Sequence, residues 1–100
     1  MMTMSALAAA VDRAAATFTG CNWDLSQPGY DYTADDVAAS AREAAEAGRR
    51  ALAFATDGDW DNAICEAHRA FAAENQYGDA PVWGHVLYLV EAMAETHDAD

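Results

Sequence analysis

Two side chains with nucleophilic or metal-binding chemistry, Cys65 and His68, lie three residues apart, the spacing of neighbours on one helical face. A structural zinc site needs four ligands, and the remaining candidates, Cys21, His85 and His97, show no paired spacing. A Cys–His nucleophile also needs an oxyanion hole and a substrate cleft, for which the sequence has no motif. We therefore predict a buried Cys65 and a surface His68, without a metal site.

A second candidate is the alternation of Asp57, Asp59 and Asp61, which resembles the start of an EF-hand calcium loop. That loop requires Gly at its sixth position and Glu at its twelfth, where this chain has Asn62 and His68. Helix capping explains the same residues, with Asp57-Gly58-Asp59 ending one helix and starting the next. Phosphate-loop, Gly-x-Ser-x-Gly and His-Glu-x-x-His motifs are also missing. The sequence predicts a non-enzymatic protein without a cofactor, and an enzyme using Cys65 and His68 is kept as a third hypothesis.

Charge is the strongest compositional feature. The 100 residues contain 17 Asp and Glu but five Arg and no Lys, giving a formal net charge of −12. Ten of the acidic residues fall in residues 57–100, where Arg69 is the one Arg. Direct binding to nucleic acid or to an anionic membrane needs a basic footprint, so this composition excludes both.

The apolar periodicity predicts an all-α fold, a compact bundle of about four helices that forms one domain over residues 1–100. The helices are predicted at Thr3 to Phe18, from an N-cap at Thr33 to Thr56, at Trp60 to Asn75, and at Pro81 to His97. The loop over residues 20–32 has four large apolar or aromatic residues and is predicted to pack against the helices. A stripe of small residues on the second helix predicts close helix contact, with members Val37, Ala41, Ala44, Gly48, Ala51 and Ala55. Glu46 and Arg50 are predicted to pair one turn apart.

A turn motif, Gly58-Asp59-Trp60, precedes the pair Ala63-Ile64, and small residues follow at 67 and 70. Ala80-Pro81-Val82-Trp83 then starts a further helix. Residues 58–90 together resemble a helical hairpin of the tetratricopeptide family, which implies antiparallel helices and a protein-interaction surface. The family's Trp, Gly and Pro are replaced by Ala47, Ala51 and Asn75, so a generic helical hairpin is the alternative.

The acidic second half is the candidate functional region. Rows of carboxylates can occupy Lys and Arg that normally hold a nucleic-acid backbone, and nearby aromatic residues can anchor a partner. The candidate partner-binding residues are Asp57, Asp59, Asp61, Glu66, Glu74, Asp79, Glu91, Glu95, Asp98, Trp60, Tyr77 and Trp83. In size, acidity and helical content the chain is similar to small phage-encoded DNA mimics such as anti-restriction and anti-CRISPR proteins. This resemblance implies an inhibitor or regulator that occupies the basic surface of a nucleic-acid-binding protein.

The alternative is a hairpin adaptor of tetratricopeptide type, whose acidity serves solubility or adaptation to salt. In that case the apolar segment Val86–Val90 is either a central helix or the seam of a homodimer. The two cysteines make no disulfide framework, the N-terminus has no signal-peptide pattern, and no apolar run reaches the length of a membrane span. A cytoplasmic location is expected.

Overall fold

Helical periodicity and end-capping residues set the fold that the computed structural model shows for residues 3–19, 34–76 and 81–98. These residues form four α-helices: α1 (Met4–Thr17), α2 (Ala34–Thr56), α3 (Trp60–Asn75) and α4 (Pro81–Asp98). The predicted all-α class is confirmed, and the predicted helix boundaries agree within one or two residues. The predictions for the loop over residues 20–32 and for the Thr33 cap lie outside the described residues.

Both ends of α1 and the first turn of α2 have features that favour a helix end at those positions. The hydroxyl oxygen of Thr3 accepts a hydrogen bond from the Ala6 N–H at 3.1 Å and caps α1. At the other end of α1, the Phe18 N–H donates to the Ala14 carbonyl at 3.0 Å. Asp35 and Asp36 place negative charge in the first turn of α2, where the helix dipole favours it.

The turn between α2 and α3 is a Schellman motif followed at once by an N-cap. The Asp59 N–H donates to the Phe54 carbonyl at 2.9 Å and the Gly58 N–H to the Ala55 carbonyl at 3.0 Å. Gly58 has φ of 80°, a conformation that favours glycine. A carboxylate oxygen of Asp59 accepts from the Asn62 N–H at 3.4 Å. The predicted double role of this turn, ending α2 and capping α3, is confirmed.

α2 and α3 form a long antiparallel hairpin with the most extensive interface in the bundle. The Gln76 amide donates to the Ser40 hydroxyl at 2.8 Å, and Arg50 pairs with Glu66 nearer the turn. The interface consists of alanine stripes on both helices, with Ala44, Ala47, Ala51 and Ala55 on α2 and Ala63, Ala67, Ala70 and Ala73 on α3. Small side chains let the two backbones approach closely, so the predicted small-residue stripe is confirmed as core.

α4 turns back along α3 and also contacts α1 and α2. The indole of Trp83 lies directly over Gly48, so close that a Cβ at position 48 would overlap two of its ring atoms. Val86, Leu87 and Val90 are buried, but Tyr88 between them is 65% exposed, so α4 is not enclosed on all sides as a central helix would be. The homodimer alternative stays a prediction. α1 packs against α2 and α4, and within the described residues it does not contact α3.

One predicted ion pair is wrong. Arg50 does not pair with Glu46 within α2 but reaches across to Glu66 on α3, with Nε 2.9 Å from Oε2. The interhelical contact offers a nearly buried carboxylate, and Glu46 is exposed to water. Along the described ranges, none of the helices is both long and apolar enough to cross a bilayer.

Candidate functional site

Exposed carboxylates gather at the end of the bundle that contains the α2–α3 turn. Asp57 and Asp61 flank this turn and are exposed, and Asp59 is half-buried between them. α4 runs antiparallel to α3. The backbone N–H of Trp83 donates a hydrogen bond to Glu74, and Gly84 lies beside the Phe71 ring. This register brings the later turns of α4, with Glu91 and Glu95, to the same end. We call Asp57, Asp59, Asp61, Glu91 and Glu95 the acidic end.

The exposed face of α4 continues the acidic end with an aromatic residue. Tyr88, Glu91 and Glu95 follow one another at spacings of three and four, so they share one face of the helix. Tyr88 is 65% exposed, and among the described residues it is the one large hydrophobic side chain found exposed. Tyr88 is not among the predicted partner-binding residues. It lies on the face of α4 opposite the buried residues Val86 and Val90, so the helical periodicity of α4 could have identified it as exposed.

No positive side chain of the described residues forms an ion pair with the acidic end. The two ion pairs between described residues both involve Glu66, which is not part of the acidic end and lies between Arg50 and Arg69. α4 itself has no Lys or Arg. Like charges one turn apart, such as Glu91 and Glu95, destabilise an isolated helix by about 0.2–0.5 kcal/mol.

Glu66 belongs to the hairpin, not to an exposed acidic surface. Its side chain is 11% exposed, with Oε2 2.9 Å from Nε of Arg50 and Oε1 3.1 Å from Nη1 of Arg69. Arg69 is the one Arg of residues 57–100, but Arg50 reaches Glu66 from α2 as a second positive partner. The two guanidiniums offset the carboxylate charge, so Glu66 offers little field to a partner.

Glu74 is also an internal residue, with a relative exposure of 3%. Its Oε1 accepts a hydrogen bond from the backbone N–H of Trp83 at 2.8 Å, and the backbone N–H of Val82 also donates to this carboxylate. Glu74 thus caps α4, whose own first turn has no acidic residue. Burial raises the pKa of Glu74 above 4.5, outweighing the opposite effect of the two backbone hydrogen bonds.

The predicted aromatic anchors have different positions. Trp83 is fully buried, with a relative exposure of 0%, so its assignment as a surface anchor is wrong; it fills the space that Gly48 leaves. Trp60 is half-buried against the core at the start of α3. Tyr77 and Asp79 lie outside the described residues, and Asp98 is the last residue of α4.

Cys65 is an exposed free thiol, so the prediction that it is buried is wrong; His68 is exposed, as predicted. Cys65 lies on the outer face of α3, because buried alanines occupy the inner face of this helix. Across residues 3–19, 34–76 and 81–98, no three His, Cys, Asp or Glu side chains are arranged to hold a metal ion. Asp59, a member of the calcium-like alternation, is used as a helix cap.

The fold and this site define the class of the protein as an all-α bundle of four helices with an exposed acidic end. Comparisons with protein-family models, with curated proteins and with solved structures find no match to the chain.

Proposed function

We propose that the protein is a non-enzymatic inhibitor or regulator that docks its acidic end on the basic surface of a nucleic-acid-binding protein. The observation that supports this most is the placement of Asp57, Asp61, Glu91 and Glu95. These four carboxylates are exposed at one end of the bundle and form no ion pair within the described residues. Such a function is of the DNA-mimic type, as in anti-restriction or anti-CRISPR proteins.

The spacing of these carboxylates supports charge mimicry. Glu91 and Glu95 are about 6 Å apart along the helix axis. Phosphates of one DNA strand advance about 3.4 Å per nucleotide, so the pair spans close to two nucleotide steps. A groove of Lys and Arg shaped for phosphates would meet carboxylates at a comparable repeat. Tyr88, one turn before Glu91 on the same face, would supply an apolar contact within the charged surface.

The test is a binding experiment with charge-matched variants. The protein is immobilised, exposed to lysate of its native host at low salt, and eluted with a salt gradient before mass spectrometry. We expect recovery of a nucleic-acid-binding protein that free duplex DNA displaces, since both ligands would occupy one basic surface. Its association rate should fall as salt rises.

The matched variants locate the binding surface. Glu91→Gln with Glu95→Gln removes two negative charges from the acidic end, and Glu43→Gln with Glu46→Gln removes two from exposed positions on α2. We expect the first double variant to weaken binding by about tenfold or more, and the second to have little effect. Equal affinities for the two variants, or binding indifferent to salt and to DNA, would contradict the proposal.

One observation favours the alternative of a protein-interaction adaptor, namely the exposure of Tyr88. If the partner is held by apolar contact, Tyr88→Ala should abolish binding, whereas the double variant at Glu91 and Glu95 should preserve it. Trp83 is unsuitable for this test because it is buried, and its replacement would disturb the core. The resemblance of residues 58–90 to a tetratricopeptide hairpin supports this alternative, because that family binds other proteins.

A further inference from the structure

A cavity between α1 and α4 lies apart from the acidic end. Its volume is about 240 Å³, and it is lined by Ala10, Arg13, Ala14, Thr17, Val82 and His85. His85 precedes Glu95 by ten residues on α4, which places the cavity about 15 Å along the helix from that carboxylate. Its base is apolar, formed by alanine and valine side chains, and its polar groups are concentrated on Arg13, Thr17 and His85.

The polar lining contains an Arg and a His but no carboxylate. Two of the eight Arg and His residues of the protein, Arg13 and His85, meet at this cavity, and no Asp or Glu lines it. Among the described residues, no carboxylate lies within ion-pairing distance of either side chain. Within residues 3–19, 34–76 and 81–98, Arg13 thus forms no ion pair, and its guanidinium beside an apolar cavity offers N–H donors to an external anion.

We infer that this cavity binds a small amphiphilic anion, with its carboxylate or phosphate group on Arg13 and His85 and its apolar body against Ala10, Ala14 and Val82. Arg presents several N–H donors to a carboxylate or phosphate. The Thr17 hydroxyl at the same rim donates to the Arg13 carbonyl at 2.7 Å, so the anion would be held by Arg13 and His85. A volume of about 240 Å³ is larger than the roughly 150 Å³ of an apolar cavity that binds benzene, so it has room for one aromatic ring with an anionic group. Benzoate and phenylphosphate have this combination of size and charge. The inference does not depend on the proposed function.

The inference is tested by titrating the ¹⁵N-labelled protein with benzoate while recording amide spectra. Saturable shifts are expected at Ala10, Ala14, Thr17, Val82 and His85, with phenylphosphate giving shifts of the same residues. Acetate, which has the charge without the apolar body, and benzyl alcohol, which has the body without the charge, should each bind at least about tenfold more weakly. Equal binding of acetate or of benzyl alcohol would overturn the inference.

Three variants separate the charge from the cavity. Arg13→Ala should weaken benzoate binding by about tenfold, as expected for loss of a charge-assisted hydrogen bond. Ala10→Leu should block the half-buried side of the cavity without changing any charge, and should also weaken binding. Arg69→Ala, which removes the same charge from an exposed site on α3 outside this cavity, should leave it unchanged. Unsaturable shifts, or equal affinity in Arg13→Ala and Arg69→Ala, would show that benzoate does not occupy this site.

Discussion

The contact between Gly48 and Trp83 fixes the position of α4 against α2. The largest fully buried side chain among the described residues, Trp83, lies where a Cβ at residue 48 would have to be. Gly48→Ala must therefore displace the indole or the helix, and it should destabilise the fold by about 1–3 kcal/mol in urea unfolding. Gly84→Ala is the control, because its Cβ would meet the Phe71 ring at 3.4 Å, an ordinary contact. That variant should gain about 0.5–1 kcal/mol, and equal effects of the two changes would contradict the argument.

Glu74 gives the fold a defined pH dependence. Because burial raises its pKa above 4.5 in the folded state, the folded protein holds this proton more tightly than the unfolded chain does. The contribution of Glu74 to the free energy of unfolding is therefore largest below pH 4.5 and falls as pH rises through the folded-state pKa. Glu74→Gln removes this titration.

The measurement is the difference in unfolding free energy between wild type and Glu74→Gln, followed from pH 4 to pH 7. This difference should move against the wild type as pH rises, and a change in its favour would show that the folded-state pKa is lowered. Glu74→Ala should cost about 1–3 kcal/mol at pH 4, because it leaves the buried backbone N–H of Trp83 without its acceptor, and this cost should decrease as pH rises.

At the residue scale the sequence predicts which side chains are acidic but not which of them face water. Glu66 and Glu74 count as two negative charges in the composition, yet one is paired by Arg50 and Arg69 and the other caps α4. Both roles depend on helices that meet only in the tertiary structure. Trp83 was misassigned for the same reason, since the space above Gly48 is formed by two distant segments.

At the scale of elements, the α2–α3 turn concentrates its stabilising contacts on two residues. Gly58→Ala should cost about 1–2 kcal/mol, because a side chain disfavours φ of 80°. Asp59→Ala should cost about 1 kcal/mol through loss of the N-cap. Asp57→Ala removes the same charge as Asp59→Ala from the same turn, and no hydrogen bond of its side chain is found in the described residues. Its cost in chemical denaturation should be near zero, and a cost equal to that of Asp59→Ala would indicate a charge effect instead of capping.

The helices themselves were predictable because their signals are local. Capping residues at Thr3 and Asp59, together with apolar spacings of three and four, lie within a few residues of the element they define. The hairpin order follows from short connections between long helices. The register of α4 on α3 was not predictable, since it rests on the Glu74 contact and on the fit of Trp83.

At the scale of the whole molecule, a net charge of −12 opposes the compact state through self-repulsion. Raising the ionic strength from about 0.01 M to about 0.15 M shortens the Debye length from about 30 Å to about 8 Å, so the free energy of unfolding should increase over this range. A stability that is constant or falls with added NaCl would mean that favourable ion pairs dominate instead.

The acidic end should account for a measurable share of this salt effect. Glu91→Gln with Glu95→Gln relieves repulsion between neighbours on α4, and it should gain about 0.2–0.5 kcal/mol at low salt with a flatter salt dependence. Glu43→Gln with Glu46→Gln changes the net charge equally, but those residues lie on α2 with Arg42, Arg49 and Arg50, where removal of negative charge also removes attraction. This second variant should therefore gain less at low salt than the first. Such a difference would mean that the acidic end retains a surface charge that costs the fold stability, as expected if that charge serves to bind a partner.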